Sequence, residues 1–284
     1  MAAAQNEKGK LYVVATPIGN LEDITYRALR VLREADLIAC EDTRHTRKLL
    51  EHYAIEKPTI SYHDFNEQER AQELVAKLQQ GLSIAQVSDA GMPGISDPGY
   101  RVVRLAIEQG ITVVPMPGPS ALVTALAASG LPTDTFEFRG FLPAKSGPRR
   151  TTLESLRDVQ HTIIFYEAPH RILETLQEIV ELLGPQRPVV IARELTKVHE
   201  EFIRGAASEV LKGLGERELR GEMTLLIGKA EGGTHVVEKK DLQTRLHEIM
   251  KSQGLDEKAA MKVLAKELGY SKSELYRELQ RVRR

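Results

Sequence analysis

The segment Val87–Gly99, VSDAGMPGISDPG, constrains the fold more than any other stretch of this chain. Its three glycines and two prolines are a density that neither a helix interior nor a central strand tolerates. The run Ser83–Val87 is typical of a buried strand, and Asp97-Pro98 predicts a helix that begins with an N-cap and a proline. Open α/β sheets bind ligands in loops that follow a strand in this way. A tight strand-to-helix connection with two capping residues would give the same pattern, so the other loops are needed to distinguish a ligand-binding loop from a simple connection.

Strand and helix patterns alternate through the first 130 residues. Strands are predicted at Leu11–Ala15, Leu37–Cys40, Thr59–Tyr62, Ser83–Val87 and Ile111–Val114, and helices at about 23–34, 66–81, 98–109 and 120–129. Asn66 and Glu69 form a capping-box pattern, and the charged run 41–46 is interpreted as a loop. This alternation predicts a mainly parallel sheet covered by helices.

The breaker cluster Pro115–Ser120 predicts both a ligand loop and a hinge between two domains. Beyond it, strands are predicted at Phe136–Phe141, Thr162–Tyr166, Val189–Ala192, Glu200–Arg204 and Met223–Ile227, with helices from Gly147, at Pro169–Leu183 and at Ser208–Leu214. After 232–233 the pattern is helical, and its last two helices have the outline of a helix-turn-helix. The predicted domains are 1–117, 118–232 and 233–284.

Composition limits the class of protein. Hydrophobic residues make up 42% of the chain and charged residues 28%, no apolar run is long enough to span a bilayer, and the start lacks a signal-peptide core. Cys40 is the only cysteine, and the eight histidines show no metal-ligand spacing. We therefore expect a cytoplasmic protein that needs neither a membrane nor a metal.

The charge is distributed unevenly along the chain. Residues 238–284 hold twelve Lys/Arg and eight Asp/Glu, which leaves 27 Lys/Arg and 32 Asp/Glu in the rest. The basic excess could lie on one face of the C-terminal helices, or it could be the solvated surface of a small helical lid.

Four loops that follow predicted strands have unusual content: TPIGN, EDTRHT, SDAGMPGISDPG and PMPGPSA. In a parallel sheet these loops gather at one edge and wall a single cleft. Neither GxGxxG after Val14 nor GxxxxGK[ST] occurs. A ligand without phosphates fits these loops better than a nucleotide does.

Eight motifs resemble the tetrapyrrole methylase superfamily and, within it, the ribosomal RNA small subunit methyltransferase I family. They span residues 11 to about 230 in the family's order: ATPIGNLEDIT, ADLIACEDTRHT, VSDAGMPGISDPG, PGPSALVTAL, GFLPAK, FYEAPHR, ARELTKVHEE and GEMTLLI. The resemblance implies an α/β fold with a mainly parallel, helix-flanked N-terminal sheet and a mixed sheet in the second domain, followed here by the small C-terminal helical module. It also implies a homodimer, with S-adenosyl-L-methionine as methyl donor bound between the domains. The implied reaction is 2′-O-methylation of a cytidine ribose in the decoding region of 16S rRNA, in the small ribosomal subunit.

The resemblance implies that residues of both predicted domains bind the methyl donor. They are Pro17, Ile18, Gly19, Asp89, Ala90, Met92, Pro93, Ile95, Ser96, Ser120, Ala121, Tyr166 and Thr224.

A ribose 2′-hydroxyl is a poor nucleophile until its proton is accepted or its developing charge is stabilised. Glu167 is the favoured base or orienting group, and the catalytic set is completed by Asp42 and Lys197. The residues expected to contact RNA are Arg44, Lys145, His170, Arg171, Lys272, Arg277 and Arg281. For Arg171 an ion pair with a carboxylate, and for His170 a helix cap, remain open alternatives.

Two other functions share features of this sequence. A carbon methyltransferase acting on a corrin or porphyrin precursor would have the same fold and donor. A non-catalytic rRNA-binding assembly factor could retain the donor site. The basic segment 140–150 and the helical tail favour RNA over a tetrapyrrole polycarboxylate.

Overall fold

The computed structural model of the protein describes residues 8–215, 217, 219–230, 239–268 and 275. These residues form two compact units. Of the described residues, the larger unit contains those up to 154 and from 161 to 228, and the smaller contains 155–160 and those from 229 onward. The predicted division of residues 1–232 into two domains stays a proposal.

The first sheet is wholly parallel, with strand order β3-β2-β4-β1-β5. Its strands are β1 (Lys10–Val14), β2 (Leu37–Cys40), β3 (Thr59–Ser61), β4 (Ile84–Val87) and β5 (Thr112–Met116). Its helices are α1 (Tyr26–Glu34), α2 (Thr43–His52), α3 (Glu67–Gln79) and α4 (Tyr100–Glu108). Helix α5 (Ala121–Ser129) follows β5 and packs against the second sheet through Ala125 and Leu126. All four residues of β4 are buried, as expected for a central strand with helices on both faces.

The second sheet is mixed, with strand order β6-β7-β10-β8-β9. Its strands are β6 (Phe136–Phe141), β7 (Thr162–Glu167), β8 (Pro188–Arg193), β9 (Glu201–Ala206) and β10 (Met223–Ile227), and its helices are α6 (Ser146–Glu154), α7 (Ile172–Leu183) and α8 (Ala207–Leu214). The β6–β7 pair is parallel, and the β7–β10, β10–β8 and β8–β9 pairs are antiparallel. The predicted fold class, a parallel first sheet followed by a mixed second sheet, is confirmed.

Helices α1 and α2 both differ from the prediction. The helix expected from residue 23 begins at Tyr26, because Thr25 Oγ1 accepts a hydrogen bond from the Ala28 amide at 3.1 Å. The charged run 41–46 is a loop only in its first two residues. Asp42 caps α2 by accepting from the Arg44 amide at 2.8 Å, so the rest of the run is helical.

The start of α4 lies three residues after the predicted N-cap Asp97, because other side chains satisfy its first amides. Glu67 Oε1 accepts from the Gly99 amide at 3.2 Å, and the Tyr62 hydroxyl accepts from the Val102 amide at 3.2 Å. Gly99 has a φ of +153°, and a Cβ there would lie 2.4 Å from Gln86 Nε2, so no side chain fits. Asp97 therefore does not cap α4, whose N-cap residue is Gly99.

The capping box predicted for Asn66 and Glu69 is also wrong. No side-chain hydrogen bond caps α3. The Asn66 side chain instead accepts from the His63 amide at 2.9 Å, which closes the turn that precedes the helix.

The smaller unit contains α9 (Lys239–Gln253) and α10 (Glu257–Leu268). Leu246, Ile249, Ala260 and Leu264 of these two helices pack together with Leu275. The predicted third helix and helix-turn-helix lie outside the described residues, apart from Leu275. In the described part of the chain, no helix has the length and apolar character needed to cross a membrane.

Replacing Glu67 should destabilise the fold, because this carboxylate links the start of α4 to Tyr62. Its side chain is 14% exposed, and it also accepts from the Tyr62 hydroxyl at 3.0 Å and from Arg101 Nε at 2.8 Å. We expect Glu67→Ala to lower the free energy of unfolding by about 1–3 kcal/mol, measured by urea denaturation. The control is Glu69→Ala, an exposed residue one half-turn along the same helix. Equal effects of the two substitutions would contradict this account of the cap.

Candidate functional site

A cavity of about 350 Å³ lies within the larger unit. This volume is in the range of small-molecule sites, about 300–1,000 Å³. One wall comes from the loops after β1, β4 and β5, and the other from the ends of β6, β7 and β8, the start of β10 and the loops beside them. The lining residues are Ile18, Ala90, Gly91, Met92, Ile95, Ser96, Asp97, Ser120, Ala121, Phe141, Tyr166, Glu167, Ala168, Pro169, Ala192, Leu195, Gly221, Glu222, Met223 and Thr224. Three of the four loops predicted to wall one cleft, those after β1, β4 and β5, therefore share this site, whereas the fourth, residues 41–46 after β2, contributes no lining residue.

Backbone pairing joins the loops after β1 and β4. The Thr16 amide donates to the Gly91 carbonyl at 2.9 Å, and the Gly91 amide donates to the Thr16 carbonyl at 3.0 Å. Thr16 Oγ1 also donates to the Ser88 carbonyl at 3.0 Å. Because Thr16 is buried, water cannot compete for these groups, and the two loops are held as one surface.

Strand register assembles the opposite wall. Tyr166 at the end of β7 pairs with Thr224 at the start of β10, and Glu167 pairs with Met223. Met223 also pairs with Arg193, the last residue of β8. Three strand ends are thus aligned, which brings distant segments of the sequence to the cavity.

Glu167 lines the cavity, but both of its oxygens are occupied. Oε1 accepts from Arg171 Nη2 at 2.5 Å and from the Ala168 amide at 2.8 Å, and Oε2 accepts from Thr175 Oγ1 at 2.8 Å. The Glu167 side chain is fully buried, and that of Arg171 is 14% exposed. The two residues form a buried ion pair that fixes the turn between β7 and α7, so the ion-pair alternative for Arg171 is the one observed.

Asp97 is a second carboxylate at the cavity. The sequence predicts it both as a helix N-cap and, with Asp89, as a carboxylate able to hold hydroxyl or amine groups. Burial and, after it, the nearby negative charges of Glu41, Asp89 and Asp64 together raise its pKa from 3.8 to about 6, against a hydrogen bond from Ser88 that lowers it. A carboxylate that changes charge near neutral pH can exchange a proton there. The signal for Asp97 was its place in the glycine-rich loop, but the adjoining Pro98 favoured the capping interpretation.

Three residues beside the cavity have left-handed backbone conformations although they are not glycine. The φ angles are +61° at Ser96, +51° at Glu194 and +66° at Thr196. The last is unusual because threonine is β-branched. Residues of this kind are costly and concentrate at functional sites.

A charge network holds the loop that contains Glu194 and Thr196. Lys197 Nζ lies 2.8 Å from Glu194 Oε1 and 3.0 Å from Glu222 Oε2. Burial alone would lower the pKa of Lys197, but the hydrogen bonds to these two carboxylates raise it above its ordinary value. Leu195, between the strained residues, is directed to the cavity wall.

Nine of the thirteen residues predicted to bind the donor line this cavity: Ile18, Ala90, Met92, Ile95, Ser96, Ser120, Ala121, Tyr166 and Thr224. Pro17, Gly19, Asp89 and Pro93 are outside the lining. Gly19 lies against the loop of Lys197, where a Cβ would come 2.5 Å from Lys197 Cγ. Asp89 Oδ1 accepts from the Asp42 amide at 3.1 Å and so supports the neighbouring loop.

The other predicted residues lie around the cavity or beyond it. Asp42 is bonded to Arg44 through both of its oxygens, which lowers its pKa, and the Arg44 side chain is 87% exposed. Lys145 and His170 are exposed, on the loop after β6 and the turn after β7. Lys272, Arg277 and Arg281 lie outside the described residues. Sequence reasoning missed Phe141, Ala168, Pro169, Ala192, Leu195, Gly221, Glu222 and Met223, although each lies in or beside a quoted motif.

Comparison with known proteins gives a consistent result. Residues 10–211 match the family described as tetrapyrrole (corrin/porphyrin) methylases. A Halalkalibacterium halodurans protein named ribosomal RNA small subunit methyltransferase I is 47% identical over 280 residues, which cover 96% of this chain and 95% of that protein. The Pasteurella multocida protein of the same name is 50% identical over 274 residues, covering 95% and 96%.

A solved structure has the same fold at low sequence identity. It is uroporphyrin III C-methyl transferase from Thermus thermophilus complexed with S-adenyl homocysteine. The TM-score is 0.54 and the identity 21%, with 78% of this chain and 98% of that chain covered.

The raised pKa of Asp97 has a consequence for stability. Protonated Asp97 contributes stability that is fully present below the unfolded pKa, near 4, and is lost as the pH rises through about 6. We therefore expect Asp97→Asn to gain stability relative to the wild type between pH 4 and pH 8, by roughly 1 kcal/mol after allowance for partial exposure. Thermal or urea unfolding across this range measures the gain.

Asp42→Asn is a control for which the pH dependence of stability should have the opposite sign. The pKa of Asp42 is lowered, so the stability that it contributes is present at neutral pH and disappears in acid. If the difference in unfolding free energy between Asp97→Asn and the wild type did not vary with pH, the raised pKa assigned to Asp97 would be contradicted.

Proposed function

Because the chain belongs to the tetrapyrrole methylase family and, within it, to the ribosomal RNA small subunit methyltransferase I family, we propose that it methylates 16S rRNA. The reaction is transfer of a methyl group from S-adenosyl-L-methionine to the 2′-hydroxyl of a cytidine ribose in the decoding region. The observation that carries the proposal is the cavity itself, which combines a largely apolar lining with a carboxylate, Asp97, that can exchange a proton. A homodimeric, cytoplasmic enzyme is part of the same proposal.

The lining of the cavity fits this donor. Ile18, Met92 and Leu195 offer apolar contact for the adenine ring. Ser120 and Ala121 begin α5, whose first amides and helix dipole favour a carboxylate. When bound, S-adenosyl-L-methionine supplies a methyl group that is already activated by the sulfonium charge. The protein is left with two tasks, to orient the 2′-oxygen and to accept its proton.

Asp97 suits the second task better than Glu167 does. Glu167 already accepts three hydrogen bonds, one of them from a buried arginine, so a proton added there would disrupt the Arg171 ion pair. The pKa of Asp97 is raised to about 6, close to the pH at which a general base is most effective. Glu167 then acts as a positioning residue, which is the second of the two roles predicted for it.

Basic residues around the cavity are proposed to bind the RNA backbone. Arg44, Lys145 and His170 are exposed at the ends of three different elements, so they can reach phosphates without entering the cavity. Lys197 is engaged by Glu194 and Glu222, which favours a role in holding the cavity wall over direct contact with a developing oxyanion.

The tetrapyrrole alternative fits the cavity less well. A polycarboxylate substrate would bring negative charge toward the carboxylates of Asp97 and Glu222, which would repel it. A ribose instead brings hydroxyl groups that can donate hydrogen bonds to these side chains. The names of the near full-length relatives also favour RNA.

Incubation with labelled S-adenosyl-L-methionine tests the proposed function. We expect label in the 16S rRNA of unmethylated small ribosomal subunits, and nuclease digestion should recover it as a 2′-O-methylated cytidine. Transfer to a porphyrinogen in parallel would support the tetrapyrrole alternative. No transfer to either acceptor, with RNA binding retained, would support an assembly factor.

Substitution of the two cavity carboxylates tests their assigned roles. Asp97→Asn should lower kcat by roughly 10²–10⁴-fold, the usual effect of losing a general base. Wild-type kcat should fall below about pH 6, because Asp97 becomes protonated there. Calorimetry with S-adenosylhomocysteine should show near-normal affinity.

Asp64→Asn is a matched control, since Asp64 is an exposed carboxylate that acts on Asp97 only through its charge. It should retain wild-type kcat with the acid limb moved to slightly lower pH. If Glu167→Gln folds and loses turnover while Asp97→Asn does not, the base is Glu167.

The basic residues of the C-terminal helical module, 233–284, are proposed to add affinity for RNA by contacting its phosphates. Combined Lys→Glu and Arg→Glu changes at Lys272, Arg277 and Arg281 should weaken binding to small subunits. The slope of binding against salt concentration, both on logarithmic scales, should flatten by about 0.7–0.9 for each phosphate that is no longer neutralised. Binding at several salt concentrations measures both effects, with the exposed Lys212→Glu on α8 as control. An unchanged salt dependence with a lower melting temperature would assign the tail a structural role only.

A further inference from the structure

Phe141 is an exposed aromatic side chain at the rim of the cavity. It is the last residue of β6, it lines the cavity, and 58% of its surface is exposed. An apolar ring of this size is ordinarily buried. It lines the same cavity as Asp97, the carboxylate assigned as proton acceptor, so a bound substrate could cover the ring.

A β-bulge directs Phe141 to this position. In the β6–β7 pair, Phe138 lies opposite Ile164, but Phe141 and not residue 140 lies opposite Tyr166. The extra residue changes the alternation, so Phe141 takes the face that position 140 would otherwise have occupied. Gly140 makes the bulge possible with a φ of +66°. Bulges next to active sites commonly re-aim one side chain in this way.

The ring is supported on one side only. Phe141 packs edge-to-face on Tyr166, with ring centroids 5.5 Å apart and planes at 63°. Tyr166 packs in turn on Phe138, at 4.9 Å. The three rings form a small aromatic cluster that fixes the orientation of Phe141 while leaving most of it open to solvent.

We infer that Phe141 is the platform on which an unpaired nucleobase of the RNA stacks, so that the ribose of that nucleotide reaches Asp97. The inference rests on the proposed function. Proteins recognise specific RNA sites mainly through unstacked bases that lie on aromatic side chains. A base stacked at the rim leaves its sugar over the cavity, and the exposed Lys145, four residues after Phe141, is available for an adjacent phosphate. The substrate is then a single-stranded or extruded nucleotide.

The adenine of the donor is a less suitable partner for this ring. Apolar side chains deeper in the cavity, among them Ile18 and Leu195, are 9% exposed or less and can enclose an adenine. A ring with 58% of its surface exposed lies outside that enclosure.

The test compares three substitutions of Phe141 with a control on the same strand. Phe141→Ala removes the ring, Phe141→Leu keeps apolar volume without a π face, and Phe141→Tyr keeps the ring. Phe136→Ala is the control, because Phe136 is 44% exposed at the opposite end of β6, where it pairs with Thr162. Each full-length variant is assayed for kcat and KM on unmethylated small ribosomal subunits, and for S-adenosylhomocysteine affinity by calorimetry.

Phe141→Ala should raise KM for the subunits by about 5- to 100-fold, the range expected for loss of one base–aromatic stack. Phe141→Leu should recover little of this loss, whereas Phe141→Tyr should recover most of it. Affinity for S-adenosylhomocysteine and the salt dependence of subunit binding should stay at wild-type values, since a stack involves no phosphate. Phe136→Ala should match the wild type.

Three results would overturn the inference while wild-type activity on subunits stands. They are unchanged KM in Phe141→Ala, full activity in Phe141→Leu, and an equal loss of S-adenosylhomocysteine affinity, which would assign the ring to the donor. A wild-type protein that does not methylate the subunits would overturn the proposed function and the platform with it.

Discussion

The site depends on the anchoring of one glycine-rich loop, residues 88–99, at both of its ends. A loop with three glycines is costly to order, because each residue loses backbone entropy on folding. Two reciprocal backbone hydrogen bonds between Thr16 and Gly91 fix its start. At its far end, Gln86 Nε2 donates to the Pro98 carbonyl at 3.2 Å, and Glu67 accepts from the Gly99 amide. The residues between these anchors are thereby held against the cavity, including Ser96 in its strained conformation and Asp97 beside it.

The strands of both sheets could be predicted from the sequence because their signal is local. Buried strands such as β4 are short apolar runs bounded by glycine and proline, and β6 and β10 have the predicted limits. Helix starts were less predictable, because a cap can be supplied by a residue far away in the chain. Glu67 caps α4 from more than thirty positions upstream, and no spacing rule connects them. Periodicity therefore determines which elements exist, while tertiary contacts determine where helices begin.

The loops that form the site were predictable for the same reason as the strands, whereas the roles of individual side chains were not. Phe141 appears in the sequence as the last residue of an alternating strand, and an extra residue in the pairing with β7 changes the face on which it lies. Likewise, Leu195 reaches the cavity because Glu194 and Thr196 adopt positive φ angles that their residue types disfavour. Departures from local preference of this kind are invisible in a single sequence, and here they occur at the cavity.

Glu167 and Asp97 show how environment separates two carboxylates that face the same cavity. Glu167 is the more deeply buried, and Arg171, Thr175 and a backbone amide all donate hydrogen bonds to it, so its carboxylate is part of the structure of the turn. Asp97 is less buried, and the charges acting most strongly on it are those of other carboxylates. Burial among like charges lets Asp97 change its charge near neutral pH. A motif identifies the loops in which both carboxylates occur, but only the partners supplied by the fold distinguish the anchor from the residue able to take up a proton.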